Sequence, residues 1–171
     1  LDGDKINGDA LYLQLYRKTE HWQSYLYYRN ISPQYRSDVG FVVKNNRRWG
    51  TFFHEYINIV NKPAVQSFGF GTKIDVVYTF EDLYKNFSVD LFASIKTYGQ
   101  TELSYTLDYD AVKTFLGIRF NNLPTHSFSV NGSPSESFNF RVNLNSGKDL
   151  SVNEDIPEIG DLTSSFMTLN F

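Results

Sequence analysis

Acidic side chains near the start of the chain have the spacing of an incomplete calcium-binding loop. The run Asp2–Asp9 contains three aspartates and one asparagine. With Asp2 as the first ligand, Ile6 stands at the fifth position, where an oxygen ligand is needed, and Asn7 replaces the glycine of the loop. The run therefore predicts a solvated turn ahead of a strand, and we expect it to bind no calcium.

A second acidic group surrounds Pro157. Its carboxylates belong to Glu154, Asp155, Glu158 and Asp161. Paired carboxylates catalyse glycoside hydrolysis, which requires a fixed separation between the two groups. No rigid element in the sequence holds this segment, so it predicts a solvated loop, with a weak cation site as the remaining interpretation.

The other residues with catalytic or metal-binding chemistry lack the necessary spacing. His21, His54 and His126 form no short metal motif and are expected to be strand-surface histidines, and no Gly-x-Ser-x-Gly sequence is present to activate a serine. Gly69 and Gly71 open a strand rather than a helix, so no phosphate-binding loop follows. The chain has no cysteine, which excludes disulfides and thiolate zinc sites. We expect no enzyme, no metal and no cofactor.

Composition and charge exclude further classes of protein. The net charge is −3 and the basic residues are scattered, so we expect no nucleic-acid partner, which would require a basic patch. No run of about eighteen apolar residues occurs, so no transmembrane helix is expected. A mean hydropathy of −0.37 still allows a membrane β-barrel, whose strands alternate apolar and polar residues. The chain begins at Leu1 with no signal peptide, so we expect a piece of a longer precursor or a mature product.

Period-two alternation of apolar and polar side chains is the strongest pattern in the chain and predicts β-strands. The clearest strands are predicted at Ser67–Phe80, Phe87–Lys96, Thr101–Tyr109 and Ser137–Asn145. Weaker strands are predicted at Ala10–Lys18, Trp22–Arg29, Trp49–Val60, Phe115–Asn121, His126–Asn131 and Leu162–Phe171. Turn residues at Tyr98–Gln100, Asn131–Pro134 and Ser146–Lys148 separate them. The sequence therefore predicts an all-β protein, an antiparallel meander of about ten strands in a single domain over residues 1–171.

The alternation leaves open whether the apolar face meets lipid or a protein core. Lipid is favoured by predicted strands of about nine to fourteen residues and by aromatic residues near their ends. In that case the apolar side chains face lipid, among them Phe70, Ile74, Val89, Leu91, Phe140 and Val142. The polar side chains predicted to face a water-filled lumen are Lys73, Asp75, Asp90, Lys96 and Arg141. The alternative is a soluble β-barrel or sandwich.

One run of residues carries a resemblance to a known family. Residues 33–42 read Pro-Gln-Tyr-Arg-Ser-Asp-Val-Gly-Phe-Val. The surrounding segment Gly8–Arg48 resembles the start of the C-terminal barrel in a family of bacterial envelope proteins classed as a domain of unknown function, and Gly147–Gly160 is similar to a mid-barrel turn of that family. The family joins an N-terminal sandwich of the carbohydrate-binding type to an outer-membrane-like β-barrel. The sandwich is absent here, and the family's barrel continues beyond Phe171.

The resemblance and the alternation together define two functional hypotheses. The first is an outer-membrane β-barrel segment, in contact with outer-membrane lipid and with other envelope proteins or glycans, that acts as the anchor or pore of a glycan-handling envelope protein. The second is a soluble all-β binding module with an apolar cavity and no catalysis. For the first, we expect an incomplete barrel, in which the strand near Ala10–Tyr16 does not pair with the strand near Thr163–Phe171. A small closed barrel is the alternative, since the chain ends in an alternating strand with a terminal aromatic residue.

Overall fold

The protein is an antiparallel all-β structure, as predicted. A computed structural model describes residues 8–35, 45–60, 62, 64–81, 84–153 and 156–170, and each regular element within them is a strand. The nine strands are β1 (Ala10–Lys18), β2 (Trp22–Ile31), β3 (Arg47–Ile59), β4 (Ser67–Tyr78), β5 (Tyr84–Lys96), β6 (Thr101–Phe115), β7 (Ile118–Ser135), β8 (Phe138–Asn153) and β9 (Ile156–Asn170).

The strands form one sheet with the simplest possible topology. Each strand pairs with the next one along the chain, so the spatial order is β1 to β9. β1 and β9 lie at the two edges, and no ladder joins them in the described part of the chain. The prediction that these two strands do not pair is confirmed for those residues, and the sheet is open.

One strand fewer is present than the sequence predicts, because two predicted strands are a single one. The gap between the predicted strands Phe115–Asn121 and His126–Asn131 contains Pro124, yet β7 runs through this residue, opposite Tyr109 of β6. The ladder between β7 and β8 begins only at Thr125. At Pro124 the strand therefore has a neighbour on one side only, which is where a residue without an N–H group is tolerated.

The predicted turns are correct in one case and wrong in two. The turn at Tyr98–Gln100 is confirmed between β5 and β6. Asn131–Pro134 instead lies within β7, at an irregularity in its register with β8. Ser146–Lys148 lies within β8. Glycine and proline in these runs mark distortions inside long strands rather than their ends.

Burial is slight for a chain of this length. The buried apolar residues among those described are Ile31, Val77, Val112, Phe120 and Leu123. They lie toward one end of the sheet, which we call the Leu116 end after the turn between β6 and β7; the opposite end, at the turn between β5 and β6, is the Tyr98 end. The rest of the described sheet is a single layer, with no second layer of the described chain against it.

The last hairpin bends over the sheet at the Leu116 end. Beyond Gly147, β8 pairs only with β9, and Asp149 reaches Lys113 of β6, with 3.0 Å between Oδ1 and Nζ. β8 must cross β7 to make this contact. Gly147 permits the bend, since its φ is +147° and a Cβ atom there would lie 2.1 Å from the carbonyl oxygen of Pro124.

Two glycines within strands are covered by the aromatic ring of the residue opposite. Gly71 of β4 pairs with Phe92, and Gly132 of β7 pairs with Phe140. A Cβ atom at Gly71 would lie 2.5 Å from the Phe92 ring and 2.5 Å from the carbonyl oxygen of His54. The absent side chain thus makes room for a ring that packs flat across the strand.

This packing predicts different costs for two otherwise similar substitutions. Gly71→Ala should lower the free energy of unfolding by about 1–3 kcal/mol, because the added methyl group collides with the Phe92 ring and the backbone of β3. Gly50→Ala on β3 is the matched control, since its Cβ atom would meet nothing within 4 Å and alanine is the less flexible residue. Urea unfolding followed by tryptophan fluorescence measures both. Equal losses in the two variants would contradict the account.

Candidate functional site

The strand register divides the side chains between two faces of the sheet. Residues directly opposite each other on paired strands point to the same side, and successive residues of a strand point to opposite sides. One ladder row therefore joins Trp22, Tyr56, Phe70, Ala93, Tyr105, Phe128 and Leu144 on one face. We call this the apolar face. The side chains that alternate with these along each strand point to the other side, which we call the polar face.

The apolar face is extensive and uncovered. Its large exposed side chains include Leu11, Leu13, Leu15, Leu26, Phe52, Phe70, Leu91, Ile95, Leu144, Met167 and Leu169. Phe70 is 51 % exposed and Leu91 49 % exposed, although both lie on interior strands of the sheet. Contiguous apolar surface on this scale marks an interface with another protein or with a membrane.

Charged side chains are sorted between the two faces over the middle of the sheet. Every Asp, Glu and Lys lies on the polar face over three stretches of the sheet: Gly50–Asn58 in β3, Phe68–Val76 in β4 and Phe87–Ile95 in β5. The same holds for Asp108 in β6 and Arg141 in β8. The residues predicted to face outward, Phe70, Ile74, Val89, Leu91, Phe140 and Val142, all share the apolar face.

Aromatic rings cluster on the apolar face toward the Tyr98 end. Trp22 stacks on His54 with ring centroids 4.7 Å apart and lies 4.7 Å from Tyr56, whose ring is 5.4 Å from Phe70. This arrangement places amphipathic rings at one border of the apolar band, where aromatic girdles occur in membrane β-barrels.

Hydrogen bonds join two pairs of polar side chains on the apolar face. Ser24 Oγ and His54 Nδ1 are 2.6 Å apart, and Tyr105 Oη and His126 Nδ1 are 2.7 Å apart. Pairing of this kind lowers the cost of placing polar groups in an apolar environment. Two of the three histidines thus lie on strands, as predicted, with hydroxyl partners.

The polar face carries all five residues predicted to line a lumen, in two separate groups. Lys73, Asp75 and Asp90 lie together near the middle of the sheet. Lys96 and Arg141 lie in one row near the Tyr98 end, where Arg141 Nε donates to Asn131 Oδ1 at 2.7 Å. The register therefore unites these residues on one face; their exposure to a lumen remains a prediction.

The central group is a chain of ion pairs. Lys73 forms an ion pair with Asp75 and places its Nζ 3.7 Å from Asp90 Oδ2, and Asp108 stands directly opposite Asp90. Asp75 also accepts hydrogen bonds from Trp49 Nε1 and the Thr51 hydroxyl. Lys73 thus counters carboxylates from two strands.

A second ion-pair group extends the first toward the Leu116 end and was missed from the sequence. Lys113 Nζ lies 3.1 Å from Asp110 Oδ2 and 3.0 Å from Asp149 Oδ1. These residues fall beyond the predicted strand ends at Tyr109 and Asn145, although alternation of Asp108 with Asp110 was a signal that β6 continues. The contact with Asp149 depends on the bend at Gly147, where the sequence predicted a turn between two strands rather than a bend within β8.

Aromatic rings on the polar face were also missed. Tyr27 packs edge-on against Trp49 with centroids 5.3 Å apart, and Phe53 stacks between Tyr25 and Phe92 at 4.9 and 5.6 Å. The polar face is thus amphipathic on strands β2 to β5, beside the Lys73 group.

Neither acidic segment forms a metal site among the described residues. Residues 2–7 of the Asp2–Asp9 run lie outside the described part, as do Glu154 and Asp155. The prediction of a loop around Pro157 is wrong for Glu158 and Asp161, which lie in β9 and pair with β8. Within the described ranges, no three His, Asp or Glu side chains converge as metal ligands.

The described residues contain no helix that is long and apolar enough to cross a membrane. Comparison with family models, curated proteins and solved structures gives no match to this chain.

Removal of the central cation should destabilise the sheet measurably. Lys73→Met leaves Asp75 and Asp90 without their cation and should lower the free energy of unfolding by about 1–2 kcal/mol, because both carboxylates are more than three-quarters buried. Lys96→Met is the matched control on the same face, where the side chain is exposed and the expected change is within about 0.5 kcal/mol. Urea unfolding at neutral pH compares the two. Indistinguishable variants would show that the Lys73 group contributes nothing to stability.

Proposed function

We propose that this sheet is part of the wall of an outer-membrane β-barrel and serves as an anchor or pore. The observation that carries the proposal is the uncovered apolar face, with the charged groups at mid-height of β3 to β5, Glu55, Lys73, Asp75 and Asp90, on the opposite side. In lipid that face would be solvated favourably, while the polar face would meet water in the interior of the barrel.

The height of the apolar face supports a membrane-spanning role. On β4 it runs from Phe68 to Tyr78, about ten steps of ~3.4 Å, and a strand tilt of about 40° converts these ~34 Å into a height of ~26 Å. The apolar band of outer-membrane barrels is about 25 Å tall. The aromatic cluster of Trp22, His54 and Tyr56 would then lie near one interface.

The open edges add a requirement to this proposal. β1 and β9 each have a paired neighbour on one side only, and lipid cannot satisfy unpaired backbone N–H and C=O groups. The barrel must therefore be completed by further strands, from a longer polypeptide or from other chains. The ion pairs of the polar face would line its interior.

A role in an envelope protein that handles glycans is a narrower form of the same proposal. Its support is the resemblance of the segment Gly8–Arg48 to an envelope family. Residues 36–42 of the most specific run in that segment lie outside the described part of the chain. Other envelope proteins and glycans are the partners that this form implies.

The most direct cellular test is extraction of the native protein from the envelope. A protein that forms part of a membrane barrel should remain in the membrane pellet through high-salt and alkaline washes. It should appear in the supernatant only with detergent, because lipid contacts the apolar face. Release by buffer alone would exclude the membrane role and favour a soluble all-β binding module.

Arginine substitutions on the two faces provide a quantitative test. Leu91→Arg should make folding into lipid bilayers less favourable by about 2–4 kcal/mol, because it places a charge at mid-height of the apolar face. Ser94→Arg, three residues along β5 and on the polar face, should cost little. Equilibrium folding into liposomes measures both. Similar costs at the two positions would contradict a lipid-facing apolar surface.

A further inference from the structure

We propose that a cavity at the Leu116 end of the polar face binds a compact oxyanion, such as the phosphate group of a water-soluble ligand. The cavity has a volume of about 410 Å³ and is formed by the start of β3, the end of β4, the start of β5 and the end of β6. Its lining includes Arg47, Lys85, Asn45, Asn86, Thr114 and Val77. This inference does not rest on the membrane proposal.

Cations dominate the lining. Arg47 and Lys85 supply two positive charges, and no carboxylate lines the cavity among the described residues. Val77, which is 5 % exposed, forms a dry wall beside them. An apolar wall strengthens the attraction between the two cations and a bound anion, because it excludes water from one side of the site.

One amide group in the lining, that of Asn86, presents its donors to the cavity. Asn86 Oδ1 accepts a hydrogen bond from the Thr114 backbone N–H at 3.1 Å, so its Nδ2 group points away from that contact. With its oxygen engaged, this side chain presents N–H donors, which suit an anion rather than a cation. The Nδ2 groups of Asn45 and Asn46 instead donate to the Pro33 carbonyl oxygen and to Glu81.

Arg47 has a buried hydrogen-bond donor that lacks an acceptor, which is independent support for an anion in the cavity. Its Nε atom is buried and has no hydrogen-bond acceptor among the described residues, while its guanidinium group lies 5.0 Å from the Trp49 ring centroid. A buried donor without an acceptor costs about 1–3 kcal/mol. An oxyanion in the cavity would accept from this guanidinium in the bidentate geometry that arginine favours.

Carboxylates nearby are engaged elsewhere. Glu81 accepts from Asn46 Nδ2 at 2.9 and 3.1 Å, and hydrogen bonds from Thr79 and Asn46 lower the pKa of the Glu81 carboxyl. Asp110 and Asp149 are paired with Lys113. The charge of Lys85 also lowers the pKa of the Glu81 carboxyl, so Arg47 is the cation of the cavity that retains most capacity for an exogenous anion.

The size and position of the cavity indicate the class of ligand. Cavities of about 300–1,000 Å³ hold small molecules, so this one has room for a phosphate with a small organic substituent. Val77, Asn86 and Arg47 belong to the polar face, so the ligand reaches the site from water. A lipid headgroup, held at the apolar side, would not.

Phosphate titration of the refolded full chain in neutral detergent tests the proposal. Inorganic phosphate, followed by calorimetry or by ³¹P line broadening, should bind saturably. Arg47→Gln should weaken binding about tenfold or more, since a charge-assisted hydrogen bond contributes about 1.5–3 kcal/mol. Lys85→Gln should weaken it severalfold. Arg48→Gln is the matched control, because Arg48 lies on the opposite face, over the Phe80 ring, and should change the Kd by less than about twofold.

Three outcomes would overturn the proposal. They are the absence of saturable phosphate binding to the unaltered chain, an equal loss of binding in Arg48→Gln and Arg47→Gln, and binding only to phosphatidic acid in mixed micelles. If Arg47→Gln does not refold, as judged by its circular dichroism, Lys85→Gln decides the matter, because the exposed Lys85 tolerates substitution. A failure of phosphate binding would leave the extraction and liposome results unaffected, since those results depend on the apolar face and the cavity belongs to the polar face.

Discussion

An uncovered apolar face is the constraint on which the rest of this structure depends. Burial of apolar side chains between two layers is the usual source of stability in a β protein, but the described residues form one layer of nine strands. Among the described apolar side chains, only a small group at the Leu116 end is buried, while Phe70 and Leu91 keep about half of their surface exposed. The backbone ladders hold the strands together. The apolar face itself requires an apolar environment from outside the described chain.

That requirement explains the arrangement of the polar groups. Lys73, Asp75 and Asp90 are placed behind the sheet, where they neutralise one another. Two pairs of polar residues on the apolar face hydrogen-bond to each other, His54 with Ser24 and His126 with Tyr105. Such pairing lowers the cost of placing polar groups in any apolar environment.

The sequence predicts the strands well because alternation is a local property. The side chains of Phe70, Ile74 and Val89 fall on one face by period two alone, and the register confirms it. The errors arise where local signals have two meanings. Gly147 stood in a predicted turn and Pro124 in the gap between two predicted strands, yet each lies inside a strand that loses one neighbour there. The Lys113 to Asp149 contact depends on a bend between distant strands, and the orphaned Nε of Arg47 depends on burial, so neither is visible in a single sequence.

Accessibility measurements along β5 test the central claim most directly. The chain has no cysteine, so single cysteines at positions 89, 90, 91 and 92 can each carry a nitroxide spin label in protein reconstituted into liposomes. If the apolar face meets lipid, labels at Val89 and Leu91 will collide with dissolved oxygen and not with a water-soluble nickel chelate, and labels at Asp90 and Phe92 will show the reverse. Equal access of the nickel chelate to all four positions, or protection of Val89 and Leu91 from both reagents, would contradict it.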